Sequence, residues 1–140
     1  MLSIERVLET ALCVEDIDRS VGFYQRILGF GVLLKSGEPE RLAAMDVGGV
    51  HVLLLFKSGA TANDVNIPGG RIPGFDGSGN GHVAFPVSRG ELGAWEKRLA
   101  EHGIAIESTV KWERGGQSIY FRDPDGNLLE LATPGVWPTY

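Results

Sequence analysis

The chain has 140 residues, 43% of them hydrophobic and 22% charged. That is enough for one ordinary domain burying roughly 68% of its unfolded surface. Thirteen Lys and Arg against eighteen Asp and Glu leave a net charge of −5, with no basic stripe for nucleic acid. The opening Met1-Leu2-Ser3-Ile4-Glu5-Arg6 lacks a basic-then-apolar leader and no apolar run reaches the ~20 residues of a membrane span, so a cytoplasmic protein without membrane attachment is expected.

Leu8 to Val14 is a strand-like run, and Glu15-Asp16-Ile17-Asp18 after it supplies carboxylates that cap a helix start. Ile17, Val21, Tyr24 and Leu28 then recur at the spacing of one buried helical face, which Gly29 stops. Three strands follow at about 30–36, 40–47 and 50–57, with Gly37 and Pro39 at the first turn and Gly48-Gly49 at the second. The order is β-α-β-β-β.

Between Ser58 and Gly81 glycine becomes abundant, so the connection, 58–78, is expected to carry no regular element. A loop of that length is either a functional cover or an ordered link between two halves.

The second half repeats the order. Residues 81–87 read as a strand, and Ser88 with Glu91 makes a capping box. Leu92, Trp95 and Leu99 form a helix face that Gly103 ends, and strands follow at about 104–112, 116–122 and 127–133. Superposing Asp46-Val47-Gly48-Gly49 on Asp123-Pro124-Asp125-Gly126 sets Leu53 opposite Glu130, and aligning the opening strands sets Glu9 opposite His82. Two copies this short are expected to pair around a shared concave surface. The expectation is one α+β domain, 1–140: two paired modules, about 5–57 and 79–133, forming a cupped mixed sheet with helices outside, then an aromatic tail, 134–140.

Period-2 alternation puts Glu130 on a face with Leu128 and Ala132, where a carboxylate among apolar residues needs a partner. His82 and Glu9 also sit on strands; singly, a strand-end histidine is commonly a hydrogen-bonded rim residue and Glu9 can face water. Together the three can converge on a divalent metal ion. Cys13 shares a face with Glu9 and Ala11 and reads as strand packing rather than as a nucleophile.

The segments Glu9-Thr10-Ala11-Leu12-Cys13-Val14-Glu15-Asp16, residues 20–30, Gly81-His82-Val83-Ala84-Phe85 and residues 118–130 together resemble the vicinal oxygen chelate superfamily. That group contains glyoxalase I, fosfomycin-resistance thiol transferases, extradiol dioxygenases and bleomycin-binding proteins. The resemblance implies a metal in the cup, with Glu9 where the family usually has histidine, His82 on its second histidine and Glu130 on its last-strand glutamate. Glyoxalase I carries a fourth ligand on the strand holding Leu53, which cannot coordinate, so Leu53 and Cys13 are read as lining a substrate site. One histidine and two carboxylates favour Mn²⁺ or a similar ion (Mg²⁺, Ni²⁺, Zn²⁺ or Fe²⁺ remaining open) over the two-histidine set of extradiol dioxygenases. The implied function is lyase or thiol-transferase chemistry on a small oxygenated substrate; the alternative is metal-free drug sequestration of the bleomycin-resistance type. Tyr120 matches a pocket tyrosine of the fosfomycin-type enzymes and could donate to an anionic oxygen, or be an aromatic core residue. Trp112 and Arg114 would stack on or clamp the substrate, or cover a strand end. A homodimer is expected, since many relatives pair modules between chains and the aromatic tail calls for packing against a subunit or over the cup.

Overall fold

The computed structural model describes residues 4–75, 77 and 79–140; residues 1–3 of the opening segment and Asp76 and Ser78 of the connection lie outside that range. The chain divides into two compact units, residues 1–79 and 80–140. Among the described residues, no helix is long and apolar enough to cross a membrane.

In the first unit, β1 (Glu9–Val14) leads into α1 (Ile17–Phe23), which continues as a wider π-helical turn over Tyr24–Leu28. Asp16 caps α1, its carboxylate accepting from the Arg19 N–H at 2.9 Å, a cap worth about 1 kcal/mol. The helix ends at Gly29, whose φ of 75° is open to glycine without a Cβ clash. Ile17, Val21, Tyr24 and Leu28 are all buried, as their spacing predicts. Strands β2 (Gly31–Ser36), β3 (Leu42–Val47) and β4 (His51–Lys57) complete a sheet of order β1-β4-β3-β2, in which β1 and β4 run parallel and the other pairs antiparallel. Leu12, Val14, Leu53 and Leu55 face the buried side; Glu9, Ala11 and Leu54 alternate to the opposite one.

The second unit repeats this plan with β7 (His82–Pro86), a 3₁₀ turn Arg89–Glu91, α2 (Leu92–Glu101), β8 (Ser108–Lys111), β9 (Gln117–Arg122) and β10 (Leu128–Ala132). The order is β7-β10-β9-β8, again with the parallel pair, β7 and β10, at one edge. Leu92 and Leu99 of α2, with Ile119, Phe121, Leu129 and Leu131, are buried. The two β-α-β-β-β halves are thus present.

Three expectations are corrected. Residues 58–81 do hold regular structure: β5 (Val65–Ile67) and β6 (Gly70–Ile72) pair as a short antiparallel hairpin. It is tethered by the Asp64 carboxylate, which accepts from the Gly74 N–H at 2.8 Å and pairs with Arg71, and by Phe75, edge-on to Phe56 at 5.7 Å. The strand expected from about 104 begins only at Ser108, because the Ile104 N–H is still turned back to the Leu99 carbonyl. The Ser88–Glu91 pair forms, but side chain to side chain at 2.6 Å, and it heads a 3₁₀ turn rather than capping the helix directly.

Candidate metal centre

His82 and Glu130 meet because of the turn that precedes β10. In Asp123-Pro124-Asp125-Gly126, Gly126 takes a φ of 85° and its N–H bonds to the Asp123 carbonyl at 3.1 Å. The Asp123 carboxylate then gathers the N–H groups of Asp125 and Asn127 and the Asn127 side-chain amide, each at 2.9 Å. The Asn127 side-chain oxygen Oδ1 in turn accepts from the Gly81 N–H at 2.8 Å. That bond locks the start of β7 to the start of β10, placing His82 opposite Leu128 and Ala84 opposite Glu130. Asn127, fully buried, is a positioning residue that the sequence reading missed; its signal was an amide directly behind a turn glycine and ahead of an apolar strand.

His82 Nε2 stands 3.3 Å from Glu130 Oε2, with the Glu130 side chain 8% exposed and that of His82 47%. His82 Nδ1 lies 3.0 Å from the Leu128 carbonyl oxygen. A carbonyl only accepts, so the hydrogen sits on Nδ1, and in a neutral imidazole the lone pair of Nε2 then points at an acceptor-only carboxylate. Two acceptors at that distance call for a cation between them, either a proton or a metal ion. A histidine whose far nitrogen is tied to a backbone carbonyl, with a carboxylate beside its near one, is the donor chemistry a divalent ion takes. These residues therefore fit such an ion.

Tyr120 pairs with Glu130 across β9 and β10, and its ring centroid is 6.3 Å from that of His82. Burial, then the Glu130 charge and hydrogen bond, push its phenol above the ordinary tyrosine value, so the hydroxyl keeps its proton near neutral pH. Trp112 is held on the same sheet by its indole N–H, which donates to Ser118 Oγ at 2.8 Å. Arg114 stands in the exposed turn closed by the Gly115 N–H to the Trp112 carbonyl. The tail folds back on its own unit: Tyr140 Oη donates toward the carbonyls of Val87 and Ala132, and Arg89 donates to the Pro134 carbonyl at 2.6 Å. Trp137 and Tyr140 thereby line a cavity of about 300 Å³ with Glu130 and Ala84.

In the first unit, Glu9 lies with Ala11 and Leu54 on the wall of a larger cavity, about 600 Å³, under the β5–β6 hairpin. The expected place of Leu53 on this face is corrected. The β1–β4 register pairs Glu9 with Val52 and Ala11 with Leu54, just as His82 pairs with Leu128 and Ala84 with Glu130, so Leu54 is the counterpart of Glu130. Leu53 is fully buried on the other side. The superposed turns misled by one residue because their aspartates differ in role: Asp46 accepts from the Gly49 N–H, three residues on, whereas Asp123 is the hub of its turn. Cys13 packs on the connection, where a Cβ added at Gly77 would come within 2.6 Å of its Sγ. Within each unit, among the described residues, no three His, Cys, Asp or Glu side chains gather as a metal-holding group.

The profile of the Glyoxalase/Bleomycin resistance protein/Dioxygenase superfamily matches residues 6–131. The chain belongs to this superfamily. Among superfamily proteins, the metallothiol transferase FosB of Bacillus licheniformis is 27% identical over 125 residues, 89% of this chain and 72% of the relative. A catechol-2,3-dioxygenase of Bacillus subtilis is 34% identical over 124 residues, 86% of this chain but 38% of its own length. The crystal structure of a lactoylglutathione lyase from Agrobacterium tumefaciens superposes with a TM-score of 0.86 at 31% identity, covering 96% of this chain and 98% of that one. The superfamily fold, with its repeated β-α-β-β-β unit, is thus shared along almost the whole chain.

Proposed function

We propose that the protein is a divalent-metal-dependent enzyme of the fosfomycin-type thiol transferase or glyoxalase-like lyase kind, with His82, Glu130 and Glu9 as its metal ligands and Mn²⁺ or a similar ion as cofactor. The observation that carries this reading is the His82 Nε2 to Glu130 Oε2 approach of 3.3 Å, with Nδ1 tied to the Leu128 carbonyl. The metallothiol transferase and lactoylglutathione lyase among its relatives support it.

Bound there, a divalent ion would supply Lewis-acid polarisation of a substrate oxygen, with coordination positions left open beyond three protein ligands. The remaining work falls to the chain. The Leu128 carbonyl fixes the imidazole so that Nε2 faces the site. Tyr120, protonated at neutral pH, donates its O–H to an oxygen that gains negative charge. Trp112, pinned by Ser118, offers an aromatic face beside it, and the tail residues Trp137 and Tyr140 narrow access to Glu130 from the other side. With Leu54 in place of a fourth ligand, three donors remain, which favours transferase chemistry over glyoxalase I proper. We place the active form as a homodimer: β2 is an edge strand whose Val32, Leu33 and Leu34 are all exposed.

A second reading, metal-free sequestration of a drug, is favoured by the 600 Å³ cavity of the first unit. Metal analysis of the purified protein and of Glu9→Ala, His82→Ala and Glu130→Ala separates the two. Close to one divalent ion per chain, lost in each variant together with thiol transfer to an epoxide or isomerisation of a hemithioacetal, is expected of the enzyme. Metal content near zero, or equal in all four proteins, sinks it.

A further inference from the structure

The connection that was expected to be structureless instead builds a roof. Its hairpin carries Ile67 and Ile72, which with Phe75 remain 49%, 51% and 46% exposed although the segment is held in place by Asp64, Arg71 and Thr61. Below lies a floor of Leu42, Leu54 and Phe56, and the space between floor and roof is about 600 Å³. Apolar side chains that face one another across this space while staying half-exposed gain burial from an apolar occupant.

We propose that this hollow binds the apolar, ring-bearing body of a small molecule, with the polar end of that molecule at Glu9. The size lies inside the roughly 300–1,000 Å³ range of drug-sized ligand sites, and an apolar lining with few polar groups is what such sites show. Among the described lining residues the charged side chains are Glu9 and Arg41, and the Arg41 guanidinium already donates to the Ala60 carbonyl at 2.8 Å. No cluster of cations therefore waits for a small phosphonate or a polyanionic tail. A peptide segment of a second copy fits the lining less well, since each of its residues brings an N–H and a C=O that need partners, and the walls are mostly hydrocarbon. A fused or linked ring system brings no such demand. The inference deepens the enzyme reading by naming the class of its substrate, and rests on that reading only for the link through Glu9.

Binding is tested on the metal-free full chain, so that it stands apart from catalysis. The neutral probe N-phenyl-1-naphthylamine, titrated into chelator-dialysed protein and followed by its fluorescence, is expected to bind saturably at one site per chain. Ala11→Trp, which fills the hollow from β1, and Leu54→Arg, which charges its floor, should each weaken that binding at least about tenfold. Val50→Lys, on the exposed turn between β3 and β4, should leave it unchanged, and circular dichroism with thermal melting identifies any variant that has failed to fold. Ala11→Trp and Leu54→Arg place their changes on different strands, so one folded variant suffices. Absence of saturable binding, or equal affinity in a folded filled variant, overturns the proposal. So does a wild-type dimer that rejects the probe and that the filled variants dissociate, which would make a second copy the occupant. Probe binding without metal binding would remove the catalytic reading and leave this one standing; metal-dependent turnover without probe binding would do the reverse.

Discussion

His82 and Glu130 stand 3.3 Å apart, nitrogen to carboxylate oxygen, at the parallel pairing of β7 with β10, and neither residue sets that distance itself. Asn127 ties the strand starts beneath them, its amide joining the Asp123 turn to the Gly81 N–H, and the Leu128 carbonyl turns the imidazole toward the carboxylate. Replacing Asn127 by Leu takes one partner from the Asp123 carboxylate and the acceptor from the half-buried Gly81 N–H, a loss of about 1–3 kcal/mol per unmade bond. Chemical denaturation of Asn127→Leu should show that loss, and metal titration should show affinity reduced by about 10–100-fold, as for other residues that orient ligands. Unchanged metal affinity in a folded variant would detach the turn from the site.

Tyr120 is expected to act on turnover rather than on metal loading. Tyr120→Phe should keep metal content and lower kcat by about 10–100-fold with a smaller change in KM, since the lost hydrogen bond is one made chiefly as charge develops. Steady-state kinetics on the metal-loaded variant decide it, and a wild-type kcat would return Tyr120 to the role of a packing residue.

The one-residue difference between Leu53 and Leu54 has opposite consequences. Leu53→Ala, in the buried layer, should destabilise by about 2–5 kcal/mol. Leu54→Ala, on the cavity wall, should cost less and should instead change ligand affinity. Paired urea titrations and binding curves test the register directly.

Asp64 gives the hairpin a pH dependence. Its carboxyl is held below the ordinary carboxylate value, first by the Gly74 N–H and then by Arg71. A lowered folded value means that its contribution is fully present above about pH 3.9 and is lost as pH falls through the folded value. Protection of the amides across 65–75, expressed relative to the intrinsic exchange rate at each pH, should therefore fall at acid pH in the wild type, and should already be low near neutrality in Asp64→Ala.

Leu33, on the exposed edge strand β2, tests the oligomer. Sedimentation should find the wild type as a dimer and Leu33→Glu shifted toward monomer, the melting curve of the monomer remaining cooperative. A wild-type monomer at all concentrations would refute the dimer.

Much of the fold was legible in the residue order. The apolar face Ile17, Val21, Tyr24 and Leu28, the capping Asp16, and Gly29 and Gly103 at the helix ends are local signals, and the structure places them as their chemistry requires. The repeated β-α-β-β-β order followed from the same short-range patterns. Where the reading failed, the deciding contacts were distant in sequence. The hairpin over 65–72 depends on Phe75 meeting Phe56 and on Asp64 reaching Gly74, which no glycine count reveals. The placing of Leu53 failed because two turns of similar composition use their aspartates differently.

Outside the connection, the sequence alone determined the two buried helix faces, the glycines that end them, and that Glu9, His82 and Glu130 fall on strands, because spacing and turn chemistry act over a few residues. Only the tertiary structure decided which face each of those strands buries, that Leu54 rather than Leu53 looks into the cavity, and that the glycine-rich connection arches over it. Those outcomes rest on strand register and on contacts between segments tens of residues apart, where shifting a strand by one position exchanges its two faces.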